Sequence, residues 1–230
     1  MKVVYCVKAG THLDLVYQDI APPSSPGPGE IQVSIDARGI QFSDLVRFAG
    51  EYQDNAGYPF VVGGEGGGTV VAAGSGVTQV EPGDKVLVPA GCVEIVNVSE
   101  KAATHVPDGV DLKVASSFRN NYLTALDGLT RAGLQPGETL LVHGAARGVG
   151  LAAVDVGKLM GASVIGTASS DEKLAVVKQM GADQVINYSN GFREQVKQLT
   201  SGLGADVIYD PVGGDVFDES VRSIAPFGRI

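Results

Sequence analysis

The segment of residues 140–154 constrains the fold of this chain more than any other. An apolar run over residues 139–142 predicts a short strand, a glycine-rich turn follows it, and the next apolar stretch predicts a helix over residues 148–160. Gly161 follows that helix and is typical of the residue just past a helix end. A strand, a tight turn and a helix in this order direct the backbone N–H groups of the helix N-terminus toward a phosphate-sized ligand.

The turn is a partial match to the dinucleotide-binding fingerprint Gly-x-Gly-x-x-Gly. Its three fingerprint positions hold Ala145, Arg147 and Gly150, and Gly148 adds one further glycine. In the full pattern, small residues let the backbone approach a pyrophosphate, and the positive end of the helix dipole faces the same group. A partial match leaves two interpretations open at this point, a dinucleotide site or a purely structural turn.

The rest of the second half alternates strand and helix patterns. Ser169 and Glu172 have the spacing of a capping box, which predicts a helix through Met180 that ends before Gly181. The other predicted elements are strands over residues 163–167, 183–187 and 206–210 and helices over residues 192–200 and 215–224. Strands that alternate with helices require a parallel sheet with helices on its faces.

The first half consists of short strand patterns separated by turn residues. Period-two alternation predicts strands over residues 1–8 and 31–37, and apolar runs predict strands over residues 69–73, 85–88 and 93–98. Glycine, proline and serine between these segments mark the loops. Several short strands with regular turn signals are typical of a small barrel-like β domain.

Composition excludes several classes of function. The chain has 230 residues, a formal net charge of −9 and no run of basic residues, so nucleic acid is not an expected partner. Its two cysteines, Cys6 and Cys92, form no CxxC pattern, which argues against a disulfide scaffold and a cysteine zinc site. No run of about eighteen apolar residues and no signal-peptide pattern occur, so we expect no membrane span and a cytoplasmic protein.

In their order and spacing, several segments resemble the zinc-independent quinone oxidoreductase branch of the medium-chain dehydrogenase/reductase superfamily. The resemblance covers essentially the whole chain, and no single motif in it is specific by itself. The segments that carry it are residues 37–44 (ARGIQFSD), 63–70 (GGEGGGTV), 74–77 and 82–86 in the first half, and residues 121–126 (NYLTAL), the glycine turn, 181–188 (GADQVINY) and 210–214 (DPVGG) in the second.

The resemblance implies an α/β protein of two domains. Residues 1–120 would form a GroES-like β-barrel domain with the catalytic and substrate-binding part, and residues 121–230 a Rossmann-type parallel α/β domain for the dinucleotide. Residues 228–230 have the pattern of a fifth strand's opening, and family members continue beyond it, so we expect the Rossmann-type domain to be truncated at its C-terminus. Family members often dimerise through later strands, so a homodimer is expected only for a full-length chain.

The resemblance also implies that no metal takes part. Zinc-dependent relatives carry a catalytic cysteine at the position of Gln41 and a histidine at the position of Gly64, and neither residue of this chain is a competent zinc ligand. Quinone oxidoreductases usually carry Asn at the Gln41 position, with its amide near the nicotinamide and the acceptor. The longer Gln41 therefore leaves the substrate class open. Tyr52 resembles a family tyrosine that lines the acceptor pocket.

The end of the second strand of the α/β domain favours NADPH over NADH. An acidic residue about twenty positions past the turn normally binds the ribose 2′-hydroxyl of NAD. Here the first acid, Asp171, falls inside the next predicted helix, while Ser169 offers a hydrogen bond and Lys173 a positive charge to a 2′-phosphate. In the family, the residues at the positions of Lys173 and Tyr188 contact the adenosine phosphate region.

The remaining cofactor contacts are predicted from the turn and two other positions. Thr124 matches a family threonine whose hydroxyl meets the nicotinamide end. Val212 and Gly213 follow the fourth strand at its carboxyl end, where ligands bind in such sheets. Arg147 either reaches a phosphate of the cofactor or is solvated, and phosphate contact is the preferred hypothesis. The turn residues with predicted cofactor contacts are Ala146, Arg147, Gly148 and Val149.

These predictions describe an NADPH-dependent oxidoreductase that transfers hydride to a quinone or a similar conjugated small-molecule acceptor without a metal. Gln41, Tyr52 and Thr124 are the predicted catalytic residues, while His143 is expected to be packed or hydrogen-bonded rather than a proton donor. Two alternatives stay open. One is an enone, alkenal or enoyl-thioester reductase, and the other is a catalytically silent nucleotide-binding protein, which the departures at Gln41 and Arg147 favour.

Overall fold

The strand-rich half and the alternating half of the sequence fold into separate units. The computed structural model describes residues 1–53 and 57–230. Met1–Asn120 forms one unit, built mainly of antiparallel strands, and Asn121–Ile230 forms a second, in which strands and helices alternate. The helix α3 at the boundary (Arg119–Arg131, numbered in chain order with the elements below) begins in the last two residues of the first unit.

The first unit is built on two antiparallel sheets. Its elements are β1 (Lys2–Cys6), β2 (Val16–Asp19), β3 (Glu30–Gly39), α1 (Phe42–Ala49), β4 (Phe60–Val61), β5 (Glu65–Ala73), β6 (Lys85–Val88), β7 (Ile95–Ser99), β8 (Thr104–His105) and α2 (Leu112–Ala115), with 3-10 turns at His12–Asp14 and Glu100–Ala102. The sheets have the orders β7-β3-β5-β6-β8 and β2-β1-β4. Alternate residues of β3 are buried, because successive strand side chains point to opposite faces. Val3 of β1 packs with Ile31 and Val33 of β3 in one shared core, which confirms the predicted barrel-like β domain.

The strand predicted over residues 93–98 is wrong at its start, since β7 begins at Ile95. Val93 forms only an isolated bridge to Val3. Its backbone N–H donates to the carbonyl of Gly91 at 2.8 Å, and its own carbonyl accepts a hydrogen bond from the Arg38 guanidinium at 2.7 Å. Both backbone groups of Val93 are therefore engaged outside the strand ladder.

Helix α1 has no counterpart among the predicted elements. It begins directly after Gln41, whose backbone N–H donates to the carboxylate of Asp44 at 2.7 Å. It ends at Gly50, which has φ +76° and so supplies the left-handed residue that commonly ends a helix. These two local signals define an eight-residue helix that places Gln41 at its N-cap.

The second unit is a parallel sheet covered by helices on both faces. After α3 its elements are β9 (Thr139–Val142), α4 (Gly148–Leu159), β10 (Ser163–Ala168), α5 (Asp171–Gln179), β11 (Gln184–Asn187), α6 (Arg193–Leu199), β12 (Ala205–Tyr209), α7 (Asp215–Ser220) and β13 (Ile224–Arg229). The strand order is β11-β10-β9-β12-β13. Val154 of α4 and Val177 of α5 pack in one core, whereas Val196 of α6 and Val216 of α7 pack in another. The predicted parallel α/β architecture is confirmed.

The predicted capping box of Ser169 and Glu172 is wrong. Helix α5 begins at Asp171, so its N-cap is Ser170. The hydroxyl of Ser169 instead accepts a hydrogen bond from the Lys173 ammonium at 3.0 Å. Lys173, one residue beyond Glu172, thus brings a cation to this hydroxyl.

The helix predicted over residues 215–224 is also too long, since α7 ends at Ser220. Strand β13 begins at Ile224, earlier than the predicted opening at residues 228–230, but its register with β12 shifts before Arg229 pairs with Val207. Pro226 lies inside this shift. Proline lacks the N–H that a regular strand ladder would use, which accounts for the irregular strand.

Candidate functional site

The turn after β9 lies where the strand order of the parallel sheet reverses, between β10 and β12. His143 donates its backbone N–H to the carbonyl of Tyr209, and Ala145 donates its own to the carbonyl of Thr167, both at 3.0 Å. Gly144 between them has φ +56°, which glycine adopts without strain. In open α/β sheets, ligands bind beyond the strand ends at this reversal.

Helix α4 packs so closely on this turn that position 150 has no room for a side chain. A Cβ on Gly150 would lie 2.8 Å from the Cα of Ala145 and closer still to the carbonyl oxygen of Gly144. Both are backbone atoms and cannot swing away as a flexible side chain can. The last glycine of the fingerprint therefore has the packing role that the pattern assigns to it.

The first turn of α4 directs backbone N–H groups away from the helix. Arg147 is the N-cap, and its carbonyl accepts the N–H of Leu151 at 2.7 Å. The N–H groups of residues 148–150 precede this bond and have no acceptor within the helix. The Arg147 side chain is exposed and forms no ion pair with any residue that the structure describes. The N–H groups at the start of α4 and the positive charge of Arg147 together form a favourable environment for a bound anion.

The loop after β12 lies against the same turn. The nearest side-chain atom to a Cβ on Gly144 would be Cγ2 of Val212, at 3.3 Å. The Oδ1 atom of Asp210 accepts the backbone N–H groups of Val212 at 2.9 Å and Gly213 at 3.0 Å, which fixes this loop. Its Oδ2 atom is buried without a hydrogen-bond partner among the described residues. The structure thus brings Val212 beside the predicted phosphate turn, and Gly213 follows it in the same loop.

The residues predicted to meet a 2′-phosphate follow β10 and β11. Ser169 and Lys173 are joined by the 3.0 Å hydrogen bond described above, and both are exposed. The carboxylate of Asp171, the first acid after the strand, accepts a hydrogen bond from the Asn187 amide at 3.0 Å. Tyr188 follows β11 and packs against the core beside α6 and α7. A hydroxyl and a cation, rather than a carboxylate, therefore form the exposed pair at this strand end.

Gln41 of the first unit is held by a buried acid. Its Nε2 atom donates to Oε2 of Glu65 at 3.4 Å, and Glu65 also accepts the backbone N–H groups of Arg119 at 2.6 Å and Asn120 at 3.3 Å. Burial raises the pKa of Glu65 above its ordinary 4.5, and the three donors oppose that effect. Sequence reasoning missed this partnership, because nothing in the spacing of the two residues signals it.

Tyr52 and Thr124 have less defined surroundings. Tyr52 lies beyond the C-terminal end of α1, with its ring 5.0 Å from the guanidinium carbon of Arg47. Gln41 caps the other end of the same helix. Thr124 is on an exposed face of α3, next to the fully buried Ala125.

Two further properties concern metals and membranes. Within residues 1–53 and 57–230, no three His, Cys, Asp or Glu side chains come together as a metal site would need. In the same residues, the helices are too short or too polar to cross a bilayer.

Two family models match the chain. The model of the alcohol dehydrogenase GroES-like domain matches residues 27–123, and the model of the zinc-binding dehydrogenase matches residues 148–230. The matches fall in the strand-rich and the alternating unit respectively, as the expected fold class requires.

Individual relatives carry more specific names. The chain is similar to the quinone oxidoreductase-like protein 2 homolog of Nematostella vectensis, with 38% identity over 236 residues, and it spans 64% of the length of that relative. It is also 38% identical over 222 residues to a quinone oxidoreductase of Pseudomonas aeruginosa, covering 94% of this chain and 68% of that one. Among solved structures, Escherichia coli quinone oxidoreductase complexed with NADPH matches with a TM-score of 0.89 and 31% identity, covering 99% of this chain and 71% of that chain.

Proposed function

Because the chain belongs to the medium-chain dehydrogenase/reductase superfamily, among its quinone oxidoreductase-like members, we propose that it binds NADPH at the carboxyl edge of its parallel sheet and reduces a quinone or a similar conjugated acceptor. The solved relative with bound NADPH supports the cofactor, and the relatives' names support the acceptor.

The close packing of Gly150 on the turn after β9 is the observation that carries the proposal. It holds the N-terminus of α4 within contact distance of Gly144 and Ala145, at the reversal of the strand order. The N–H groups of residues 148–150 then face the space that a pyrophosphate would occupy. The exposed Arg147 adds a full positive charge at the same end of the helix. The residues present therefore fit a dinucleotide.

The surroundings of β10 support NADPH over NADH. A 2′-phosphate carries negative charge, and the Lys173 ammonium with the Ser169 hydroxyl would bind it through charge-assisted hydrogen bonds. Asp171, the first acid after the strand, is engaged by the Asn187 amide. Tyr188, which follows β11, is proposed to pack beside the adenosine.

The acceptor is proposed to bind beside Gln41. The NH2 end of the Gln41 amide faces the Glu65 carboxylate, and the Gln41 side chain is proposed to contact the acceptor beside it. Tyr52 and Thr124 are proposed to line the acceptor and the nicotinamide. When bound, the reduced nicotinamide supplies the hydride, and the chain's residues orient the two reactants. A conjugated acceptor disperses the developing charge, so no zinc is invoked, in line with Gln41 and Gly64 at the zinc-ligand positions.

The cofactor half of the proposal is tested by titrating the chain with NADPH and NADH while following the fluorescence of the reduced nicotinamide. We expect NADPH to bind at least about tenfold more tightly, because one charge-assisted contact is worth that factor or more. Lys173→Ala should remove most of this preference by weakening NADPH alone. Lys178→Ala is the matched control, since Lys178 lies on the same helix and bonds to the carbonyl of Asp183 instead.

Equal or tighter binding of NADH would refute the assignment of Ser169 and Lys173. Binding of neither nucleotide would refute the proposed function for this chain.

The acceptor half is tested by comparing turnover of a 1,4-benzoquinone, an α,β-unsaturated ketone and an enoyl thioester with NADPH. The quinone is expected to give the highest kcat/KM. Preference for the ketone or the thioester would replace the quinone by an enone or enoyl-thioester acceptor. NADPH binding without turnover of any acceptor would favour a silent nucleotide-binding protein.

A further inference from the structure

His143 joins several elements around the cofactor turn. It is the residue directly before Gly144 and is fully buried. Its Nδ1 atom lies 2.9 Å from Oγ1 of Thr167 on β10, and its Nε2 atom lies 2.9 Å from Oγ of Ser220 at the end of α7. Its ring packs on that of Phe192, with centroids 4.6 Å apart. One side chain therefore contacts β10, α7 and the residue at the N-cap of α6.

The hydrogen bonds define which ring nitrogen carries the proton. The hydroxyl of Ser220 donates its proton to the carbonyl of Val216 at 2.8 Å, so its oxygen must accept from His143. Nε2 is consequently the protonated nitrogen. Nδ1 is then the acceptor and receives the hydroxyl proton of Thr167. This arrangement needs a neutral imidazole in a single tautomer and leaves no ring nitrogen for a substrate.

Two partners of His143 are connected to the loops that flank the proposed pyrophosphate site. Thr167 binds the turn after β9 twice, through its hydroxyl to the His143 ring and through its carbonyl to the N–H of Ala145. Ser220 belongs to α7, the helix that follows the loop of Val212 and Gly213. The His143 imidazole therefore connects the turn after β9 to α7, the helix that follows the loop after β12.

We propose that His143 is a positioning residue for the nucleotide, because it sets the spacing between the turn after β9 and the loop after β12. The inference rests on the proposed dinucleotide site and goes beyond it, since the imidazole does not touch the cofactor. A wider or looser gap between these loops would misplace Val212 and the amides at the start of α4 relative to the same phosphates. The dissociation constants of NADPH and NADH should rise by the same factor, because both nucleotides contain the pyrophosphate.

The experiment compares two buried serines. Ser220→Ala removes the acceptor of His143, whereas Ser223→Ala removes a hydroxyl whose one side-chain bond among the described residues goes to the carbonyl of Glu219. Both serines are fully buried and both lose a bond to a carbonyl four residues earlier. Dissociation constants for NADPH and NADH are measured by nicotinamide fluorescence, well below the melting temperature of each variant. Thr167→Val provides a second variant, which removes the bond on the other side of the ring.

We expect Ser220→Ala and Thr167→Val to raise both dissociation constants about fivefold, as the loss of one hydrogen bond would, with the ratio of NADPH to NADH affinity unchanged. Ser223→Ala should bind both nucleotides as the unmodified chain does. The result that supports the proposal is this difference between the serines.

Other results overturn it. If Ser220→Ala and Thr167→Val lower the melting temperature but bind both nucleotides normally, His143 is a packed core residue only. An equal loss of affinity in Ser223→Ala, or failure of both hydroxyl variants to fold, would likewise assign the network to general stability. If the unmodified chain binds neither nucleotide, the proposed function itself fails, which is a distinct outcome.

Discussion

Replacing Gly150 by alanine tests the step on which the proposed cofactor site depends. The added methyl group would lie 2.8 Å from the Cα of Ala145 and 2.9 Å from the carbonyl carbon of Gly144, with the carbonyl oxygen nearer still. Ordinary contacts of a Cβ begin at about 3.4 Å, so α4 and the turn must separate by roughly 1 Å. No side chain can absorb this movement, because every close atom belongs to the backbone.

The expected cost has two parts. Overpacking of this kind destabilises a protein by about 1–3 kcal/mol. A shift of roughly 1 Å also misaligns the N–H groups of residues 148–150, and two weakened bonds to a charged phosphate correspond to an affinity loss of about 10- to 100-fold. Gly150→Ala should therefore remain folded at moderate temperature and bind NADPH at least about tenfold more weakly.

The matched control is Gly157→Ala on the same helix. A Cβ at this position would meet side-chain atoms, Cδ2 of Leu140 at 2.5 Å and Cγ2 of Val164 at 3.3 Å. It lies two turns away from the helix N-terminus, so it should lower stability without changing the dissociation constant of NADPH. Urea denaturation gives the stability of each variant, and nicotinamide fluorescence gives its affinity. Equal NADPH binding by Gly150→Ala and the unmodified chain would refute the assignment of the turn.

Two buried ionisable groups give further predictions. Burial lowers the pKa of His143 from its ordinary 6.5 to about 4, against the opposing charges of Asp210 and Glu219. Between these two pH values the imidazole of His143 is protonated in the unfolded chain and neutral in the folded protein. About 3 kcal/mol of stability that is present above pH 6.5 should therefore be lost as the pH falls to about 4. Urea denaturation gives the free energy of unfolding of the unmodified chain and of His143→Gln at each pH. The difference between the two free energies should change between pH 6.5 and pH 4, and a constant difference would contradict the prediction. Glu65→Gln should lower stability by about 1–3 kcal/mol in the same assay, because the charged acceptor of the Arg119 N–H is lost, and an unchanged midpoint would show that the Glu65 charge does not stabilise the fold.

Much of the second unit could be predicted because its signals are local. The apolar run of β9 and the left-handed Gly161 after α4 lie within a few residues of the features they define. The capping box at Ser169 failed for a reason that spacing cannot reveal. Two serines are adjacent there, and the hydroxyl of the first binds Lys173 while the second becomes the N-cap. The helix therefore begins one residue later than the spacing of Ser169 and Glu172 predicts.

The hydrogen bonds that hold the candidate site residues mostly join residues far apart in the chain, so they could not be predicted from the sequence. Gln41 meets Glu65 from 24 residues away, and His143 reaches Ser220 across 77 residues. Hydrogen bonds of this kind depend on which strands become neighbours, and neither residue type nor spacing encodes that order directly. The pairing of Ser169 with Lys173 is the exception, because a separation of four residues at a helix start places both on one side.

The departures of the turn from Gly-x-Gly-x-x-Gly become understandable from the space around each position. Ala145 replaces the first glycine and is fully buried, and it can carry its methyl group because that group faces Gly166 of β10, a residue without a side chain. Arg147 replaces the second glycine in an extended conformation, with φ −99°, and its side chain extends into solvent. At Gly150 alone would a Cβ collide with the backbone of the turn itself. The chain therefore keeps a glycine where the helix must touch the turn and substitutes the two positions at which neighbouring space permits it. A search pattern that gives the three glycines equal weight therefore underestimates how well this turn matches the fingerprint. Only the third position must be glycine in this fold, because only there would a Cβ collide with the backbone of the turn.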